Sequence, residues 1–560
     1  METREKAVFN TPWSLLIVVL APVVLLAPFM NKAFHIDDTV FLWAAKHIQS
    51  YPLDFYGFMA NWYGFEMPMS QINQNPPLTS YYIALVASLF GWSEPALHAA
   101  FLLPAIGLCT GTFSLARHLS PAPLVASLIT AVSPVFLVSS TNVMSDTTMV
   151  AFYVWAAALW VQGFKQKSSF CLCCAGILIA LASLTKYFGI TMAPLLLIYS
   201  LVHQRRVGVW LIYLVLPVLV LLGYEWCTHS LYGQGLFSNA IIYAFQQSVT
   251  SGSSLLSKTF TGLSFTGGSL AGILFFMPFL WYRRTWAVWA LFLGIIATAL
   301  MLMNAVGPLQ LITAEGIRWS ILLQFALFIV VGIQVLLLAA IDVQKNRDAA
   351  SVLLFLWVWG VVLFASYFNW TINARVVFPL LPAAAILIMR RLCQRRDYFA
   401  HHSDLRVLIP LTAAACVALA VTWADFTLAN CQRSAASLLH EKLTVYPKTH
   451  WFEGHWGFQY YMESSGAKAL DYKKSTLNKD DIVIIPSNNS NLRLLPKDKF
   501  QQIEVLSLMP CRWLATLHKS LGAGFYWDAK GPLPFVFGVT APEQYFVYLY
   551  HAGVVSGAFK

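Results

Sequence analysis

Apolar residues along this chain gather in long runs broken by short polar turns. The first run covers 13–30. Others follow near 97–117, 121–140, 146–164, 169–185, 187–203, 207–228, 267–282, 285–304, 319–341, 350–368, 375–391 and 405–425. A helix needs about 20 apolar residues to cross a hydrocarbon core of roughly 30 Å, so the pattern predicts about thirteen membrane-spanning helices. The first run follows a tail carrying Arg4 and Lys6. It is long for the apolar part of a signal peptide and no A-x-A site follows, so an uncleaved anchor is expected.

Two segments depart from this pattern. Residues 31–96 are too long for a turn and too apolar for a free loop. Within them 40–48 and 78–90 show helical spacing with aromatic edges, as in helices lying in the membrane interface. Residues 426–560 are more polar and carry short strand-like runs, Ile482–Pro486 and 503–508, 535–539 and 546–550, punctuated by Gly and Pro. The expected fold class is therefore an all-α polytopic membrane protein, residues 1–425, with a small extracytoplasmic α/β domain, residues 426–560.

Charge placement orients the array. Inward turns hold Arg4, Lys6, Arg117, Lys165, Lys167, Arg205, Arg206, Arg283, Arg284, Lys345, Arg347, Arg390, Arg391, Arg395, Arg396 and Arg406. The outward parts before residue 426 hold only Lys32, Lys46, Lys186, Lys258, Arg318 and Arg375. This asymmetry predicts a cytoplasmic N-terminus and an outward C-terminal domain. Composition agrees: 58% of residues are hydrophobic and 11% charged, too few charges to cover a soluble surface. The net charge of +11 is largely loop charge that sets orientation, so it gives no support for nucleic-acid binding. Cys171, Cys173 and Cys174 read as small packing residues of a span. Cys431 and Cys511 share the outer domain, where an oxidising compartment would allow pairing.

Ionisable residues at membrane depth are costly, about 2.5–3.5 kcal/mol on insertion scales, and here they converge on one face. Asp37, Asp38, Asp146, Lys186, Glu225, Glu315, Arg318 and Arg375 all fall at outward ends of spans. A shared cavity of acids and cations is expected, with Glu94 and Lys258 read as interfacial charges in water. Paired acids suit proton transfer from a hydroxyl, and Lys or Arg beside them suits a phosphate. Such a set fits a lipid-linked phosphate substrate or a proton-coupled transporter.

The order of motifs resembles the GT-C membrane glycosyltransferases of family 39, which include protein O-mannosyltransferases and the aminoarabinose transferase for lipid A. After the first span come His35-Ile36-Asp37-Asp38-Thr39 and Phe41-Leu42-Trp43-Ala44. Asn75-Pro76-Pro77-Leu78, Tyr81-Tyr82 and Leu89-Phe90-Gly91 follow. Further on come Ser93-Glu94, Leu115-Ala116-Arg117-His118-Leu119, Ser145-Asp146-Thr147, Leu184-Thr185-Lys186-Tyr187, Arg375 and Phe378-Pro379-Leu380-Leu381-Pro382. The family usually has Asp-Glu where this chain has Asp37-Asp38, and Gly454-His455-Trp456-Gly457-Phe458-Gln459-Tyr460-Tyr461 resembles the C-terminal domains of some bacterial members.

The resemblance implies a GT-C fold in the inner, cytoplasmic membrane and inverting transfer of a sugar from a polyprenyl-phosphate donor. The acceptor, a lipid, polysaccharide or protein, stays open. Asp37 and Asp38 are the expected catalytic pair. Lys186 and Arg375 are expected on the phosphate, with Asp146, Arg318 and Tyr81 as further substrate contacts. Trp43, Trp62, Tyr63, Tyr81 and Tyr82 suit either a sugar pocket or a membrane belt. No cofactor is certain; Glu225 and His229 are the candidates for a divalent metal. A secondary transporter should show repeats and helices broken at mid-membrane, whereas no repeat is evident and the charges gather at one face. A membrane assembly factor, whose outer domain binds envelope proteins, is the third reading.

Overall fold

The computed structural model describes residues 12–250, 252, 254–395, 405–443, 448–551 and 555–556. Arg4, Lys6 and Arg396 lie outside them. Each predicted span is occupied by a helix or a bent helix pair. Nine helices among the described residues are long and apolar enough to cross a membrane, or eleven if two bent pairs, Pro123–Ala131 with Pro134–Ser140 and Leu255–Ser269 with Ala271–Leu280, each count as a span. The two other predicted spans, Ser14–Phe29 and Ser169–Thr185, are shorter apolar helices. The expected total of about thirteen thus includes two helices below full spanning length.

Local chemistry explains the breaks. Pro134 has no N–H to continue the helix that ends at Ala131, and the chain turns by 60° there. Close crossings fall at small residues. A Cβ at Gly267 would collide with the Phe328 carbonyl, and one at Gly332 with the Leu263 carbonyl, so glycine lets the helices Leu255–Ser269 and Trp319–Asn346 touch backbone to backbone.

The segment between the first two predicted spans contains the two expected helices, Asp38–Ser50 and Leu78–Phe90, and a short hairpin pairing Met59–Asn61 with Glu66–Pro68. The last membrane helix, Leu405–Leu443, is about 58 Å long. It runs through residue 425 without a break. Its end, through Ala435, Ala436, Leu439 and Leu443, shares a core with Phe452, Phe458, Ile482 and Val547 of the C-terminal region.

That region is β-rich. Its main sheet has the strand order Phe500–Leu508, Glu543–Tyr550, Ile482–Pro486, His450–Phe452, Lys468–Ala469, antiparallel on one side of Ile482–Pro486 and parallel on the other. Ile482–Pro486 is buried along its length, as an apolar central strand should be. The helix Trp456–Ser464 packs beneath it. Cys431 and Cys511 are both buried free thiols.

Candidate active site

A cavity of about 900 Å³ opens where the segment between the first two spans, one end of several later spans and the C-terminal region meet. Asp37, Lys186 and Arg375 all line it, although they lie far apart in sequence.

Asp37 immediately precedes the helix Asp38–Ser50, makes no side-chain capping bond to it, and its side chain is 35% exposed. Asp38 does something different. It is fully buried, and its two oxygens accept backbone N–H bonds from His35 (2.8 Å) and Val143 (2.9 Å). Helical geometry turns successive side chains about 100° apart, so one acid of the pair faces the cavity while its neighbour pins the turn to the chain at Val143. Burial pushes the Asp38 carboxyl up to about 7, against the pull of its backbone hydrogen bonds and Lys32.

Ile36, just before Asp37, has φ +48°. This left-handed conformation is unfavourable for a β-branched residue. Across the cavity wall Trp456 has φ +63°, and its carbonyl accepts from Thr39 Oγ1 at 2.8 Å. Both residues line the cavity. Strain of this kind costs on the order of 1–3 kcal/mol per residue and persists only where the surroundings hold it; here the hydrogen bond fastens the two segments to each other.

Asp146 opens the helix Ser145–Gln166, where the helix dipole favours an anion. Its side chain is 3% exposed and does not line the cavity. It accepts from Lys186 Nζ at 2.6 Å and faces Arg375 Nη1 at 3.8 Å. Arg375 Nη2 lies 2.9 Å from Asp37 Oδ2, and Nη1 meets Met144 Sδ at 2.9 Å. Arg375 Nε has no hydrogen-bond partner among the described residues. Asp146 thus holds two cations at the cavity wall while one of them reaches Asp37.

The other expected residues lie elsewhere. Tyr81 donates to the Pro52 carbonyl and Arg318 to the Gln310 carbonyl at 3.3 Å; neither lines the cavity. Glu225 receives Phe237 N–H at 3.0 Å and Ser238 Oγ–H at 2.5 Å, so it caps the following helix, Leu236–Thr250. His229 is exposed. No group of three His, Cys, Asp or Glu side chains able to hold a metal ion occurs among the described residues. Glu94 accepts from Arg433 (3.1 Å) and Tyr461 (2.9 Å); it docks the C-terminal region instead of reaching into water.

Sequence reading missed what the C-terminal region contributes. Trp456, Asn491, Tyr526 and Trp527 line the cavity. The Tyr526 ring lies 5.5 Å from the Arg375 guanidinium, and the Phe525 carbonyl accepts from Ala374 N–H at 2.9 Å. Behind this wall Tyr526 donates to Asp425 Oδ2 at 2.8 Å and Thr516 to Oδ1 at 2.9 Å. Lys32, completely buried, reaches Asp425 Oδ2 at 2.6 Å and Asn142 Oδ1 at 2.7 Å. Lys32 had appeared only as an outward loop cation, because its partner lies almost four hundred residues away.

Residues 74–226 match the family described as dolichyl-phosphate-mannose-protein mannosyltransferase. No curated protein matches the chain. Among solved structures, similarity is found to the oligosaccharyltransferase AglB from Archaeoglobus fulgidus in complex with an inhibitory peptide and a dolichol-phosphate. That match has 14% identity and a TM-score of 0.48, and covers 83% of this chain and 65% of that one. ArnT from Cupriavidus metallidurans bound to undecaprenyl phosphate matches at 14% identity and a TM-score of 0.46, covering 85% and 94%. The arabinofuranosyltransferase AftD from Mycobacteria matches at 12% and 0.45, covering 97% and 40%. The chain thus spans about two thirds of the oligosaccharyltransferase's length and less than half of AftD's. The family match over residues 74–226 upholds the resemblance to GT-C membrane glycosyltransferases.

Proposed function

We propose that the chain is an inverting glycosyltransferase that moves a sugar from a polyprenyl-phosphate donor to an acceptor hydroxyl at the outer face of a cell's inner membrane. The observation that carries this reading is the placement of Lys186, Arg375 and Asp37 on one cavity wall, beside an aromatic wall that includes Phe188, Phe364 and Phe368. A lipid phosphate needs both an apolar channel and cations, and Arg375, whose Nε has no partner among the described residues, is suited to a phosphate oxygen.

In this mechanism the donor phosphate draws Arg375 away from Asp37. Asp37 then takes the proton of the acceptor hydroxyl. The acceptor oxygen forms a bond to the anomeric carbon from the face opposite the phosphate, through a transition state of oxocarbenium character. The bond from that carbon to the phosphate oxygen breaks, and the electron pair leaves with the polyprenyl phosphate. Lys186 and Arg375 stabilise the charge that develops there. Asp146 is a positioning residue for both cations, and Asp38 for the turn that carries Asp37. Positive residues at the opposite ends of the spans support an outward-facing cavity.

The test is transfer by the purified protein from polyprenyl-phosphate sugars to candidate lipid, saccharide and peptide acceptors. Turnover that Asp37→Asn abolishes without loss of folding supports the reading; full turnover in that variant removes Asp37 as the base.

A further inference from the structure

The helix that gives Val40 and Phe41 to the first cavity gives Trp43, Lys46 and His47 to a second, of about 730 Å³. Its other walls come from the hairpin around Asn61 and Glu66 and from the C-terminal region, including Trp451, Glu463 and Lys468. Trp43 of the second cavity meets Trp62 of the first edge to face, with ring centroids 5.8 Å apart. One aromatic layer therefore separates the two.

The chemistry of this wall differs from that of the first. Lys46, Lys468 and Lys474 are matched by Glu66, Glu463 and Asp471, so neither sign prevails and a phosphate or carboxylate has no net attraction. A hydroxyl group donates to a carboxylate and accepts from an ammonium, so a polyhydroxylated ligand can use both kinds of partner. Trp43 and Trp451 add aromatic faces suited to the C–H face of a pyranose ring. Two lining residues also hold polar atoms with no hydrogen-bond partner among the described residues. Asn61 is 9% exposed and its Oδ1 lacks a partner, as does His47 Nε2. Buried polar atoms are rarely left unpaired without a reason.

We infer that this second cavity is a saccharide-binding subsite for the acceptor, which makes the acceptor a glycan or a glycan-bearing molecule. The inference rests on the glycosyltransferase reading for its purpose, while the binding itself can be measured alone. The full chain in lipid nanodiscs is tested by saturation-transfer NMR against mannotriose, maltotriose and triacetylchitotriose, with a hexapeptide as control. Undecaprenyl phosphate binding is measured in parallel.

The expected result is saturation of at least one trisaccharide, weakened tenfold or more by Trp451→Ala and by Lys468→Ala, with undecaprenyl phosphate binding unchanged. Lys468 lies on the surface beside Trp451, so its variant keeps the test valid should Trp451→Ala fail to fold. Binding of no trisaccharide, of the hexapeptide alone, or with wild-type strength in both variants overturns the subsite. Trisaccharide binding that depends on these residues, without undecaprenyl phosphate binding, leaves the subsite standing and overturns the donor reading instead.

Discussion

Arg375 lies between two carboxylates, its Nη2 2.9 Å from Asp37 and its Nη1 3.8 Å from Asp146. One guanidinium therefore links the half-buried acid that precedes the helix Asp38–Ser50 to a buried acid at another helix start. A lysine at this position has one short point charge and cannot span both. Arg375→Lys is expected to lower turnover by about 10²-fold, chiefly through weaker use of the lipid-phosphate donor. Steady-state kinetics at varied donor concentration check this, and wild-type kinetics would remove Arg375 from the phosphate site.

Asp37 and Asp38 should separate cleanly. Asp37→Asn keeps an acceptor for Arg375 but cannot take a proton, so turnover should fall by about 10²–10⁴-fold with the unfolding temperature little changed. In Asp38→Asn the amide NH2 confronts one of two backbone donors, His35 or Val143, leaving it unsatisfied. A lower unfolding temperature is expected there, read by thermal denaturation of both variants in detergent.

Tyr526 tests the contribution of the C-terminal region. Tyr526→Phe keeps the ring against Arg375 and leaves Asp425 its bonds from Lys32 and Thr516. Tyr526→Ala removes the ring as well. Transfer should survive the first change and drop by about tenfold in the second, a loss of the size a cation–π contact supplies when desolvated. Equal activity in both would detach Tyr526 from the positioning of Arg375.

Lys32 and Asp425 are both fully buried. Removing one partner leaves an uncompensated charge, and Lys32→Met is expected to cost about 3–5 kcal/mol of stability. Chemical denaturation in mixed micelles gives the comparison; a variant as stable as the wild type would contradict the pairing.

Two groups near the site titrate in opposite senses. Burial, with the Lys32 charge adding to it, lowers the His35 imidazole to about 4 against the pull of Asp425, so its contribution is lost as pH falls from 6.5 towards 4. Asp38, raised to about 7, holds its proton in the folded state, and its contribution is lost as pH rises from about 4 through 7. Removing the histidine leaves the second effect alone. His35→Gln should therefore gain stability relative to the wild type as pH drops from 6.5 to 4.5, measured as the difference in unfolding temperature at the two pH values. A constant difference would show that His35 is not held neutral by burial.

Much of the membrane architecture was legible because a span is a local property: twenty apolar residues announce themselves without reference to any partner. The helices Asp38–Ser50 and Leu78–Phe90 were legible for the same reason. Asp37, Lys186 and Arg375 stood out because charge is costly at membrane depth. What stayed hidden was pairing across the chain. Nothing near Tyr526 signals that it packs on Arg375, and nothing near Lys32 signals Asp425. Glu225 suggested a ligand set because the N–H groups it caps belong to a helix that starts only at Leu236. Adjacent acids looked like one functional pair until helical rotation sent them to different surroundings.

The wall that carries Tyr526 and Trp527 is built from residues that follow the helix Leu405–Leu443 in the chain. Phe525 and Tyr526 fasten onto Ala374 and Arg375 from beyond that helix, so they are synthesised after it. A nascent or truncated chain with every earlier span in place would still present an incomplete cavity. Synthesis of the C-terminal region would thus act as the timer for competence, keeping a half-made protein from engaging the lipid pool around it.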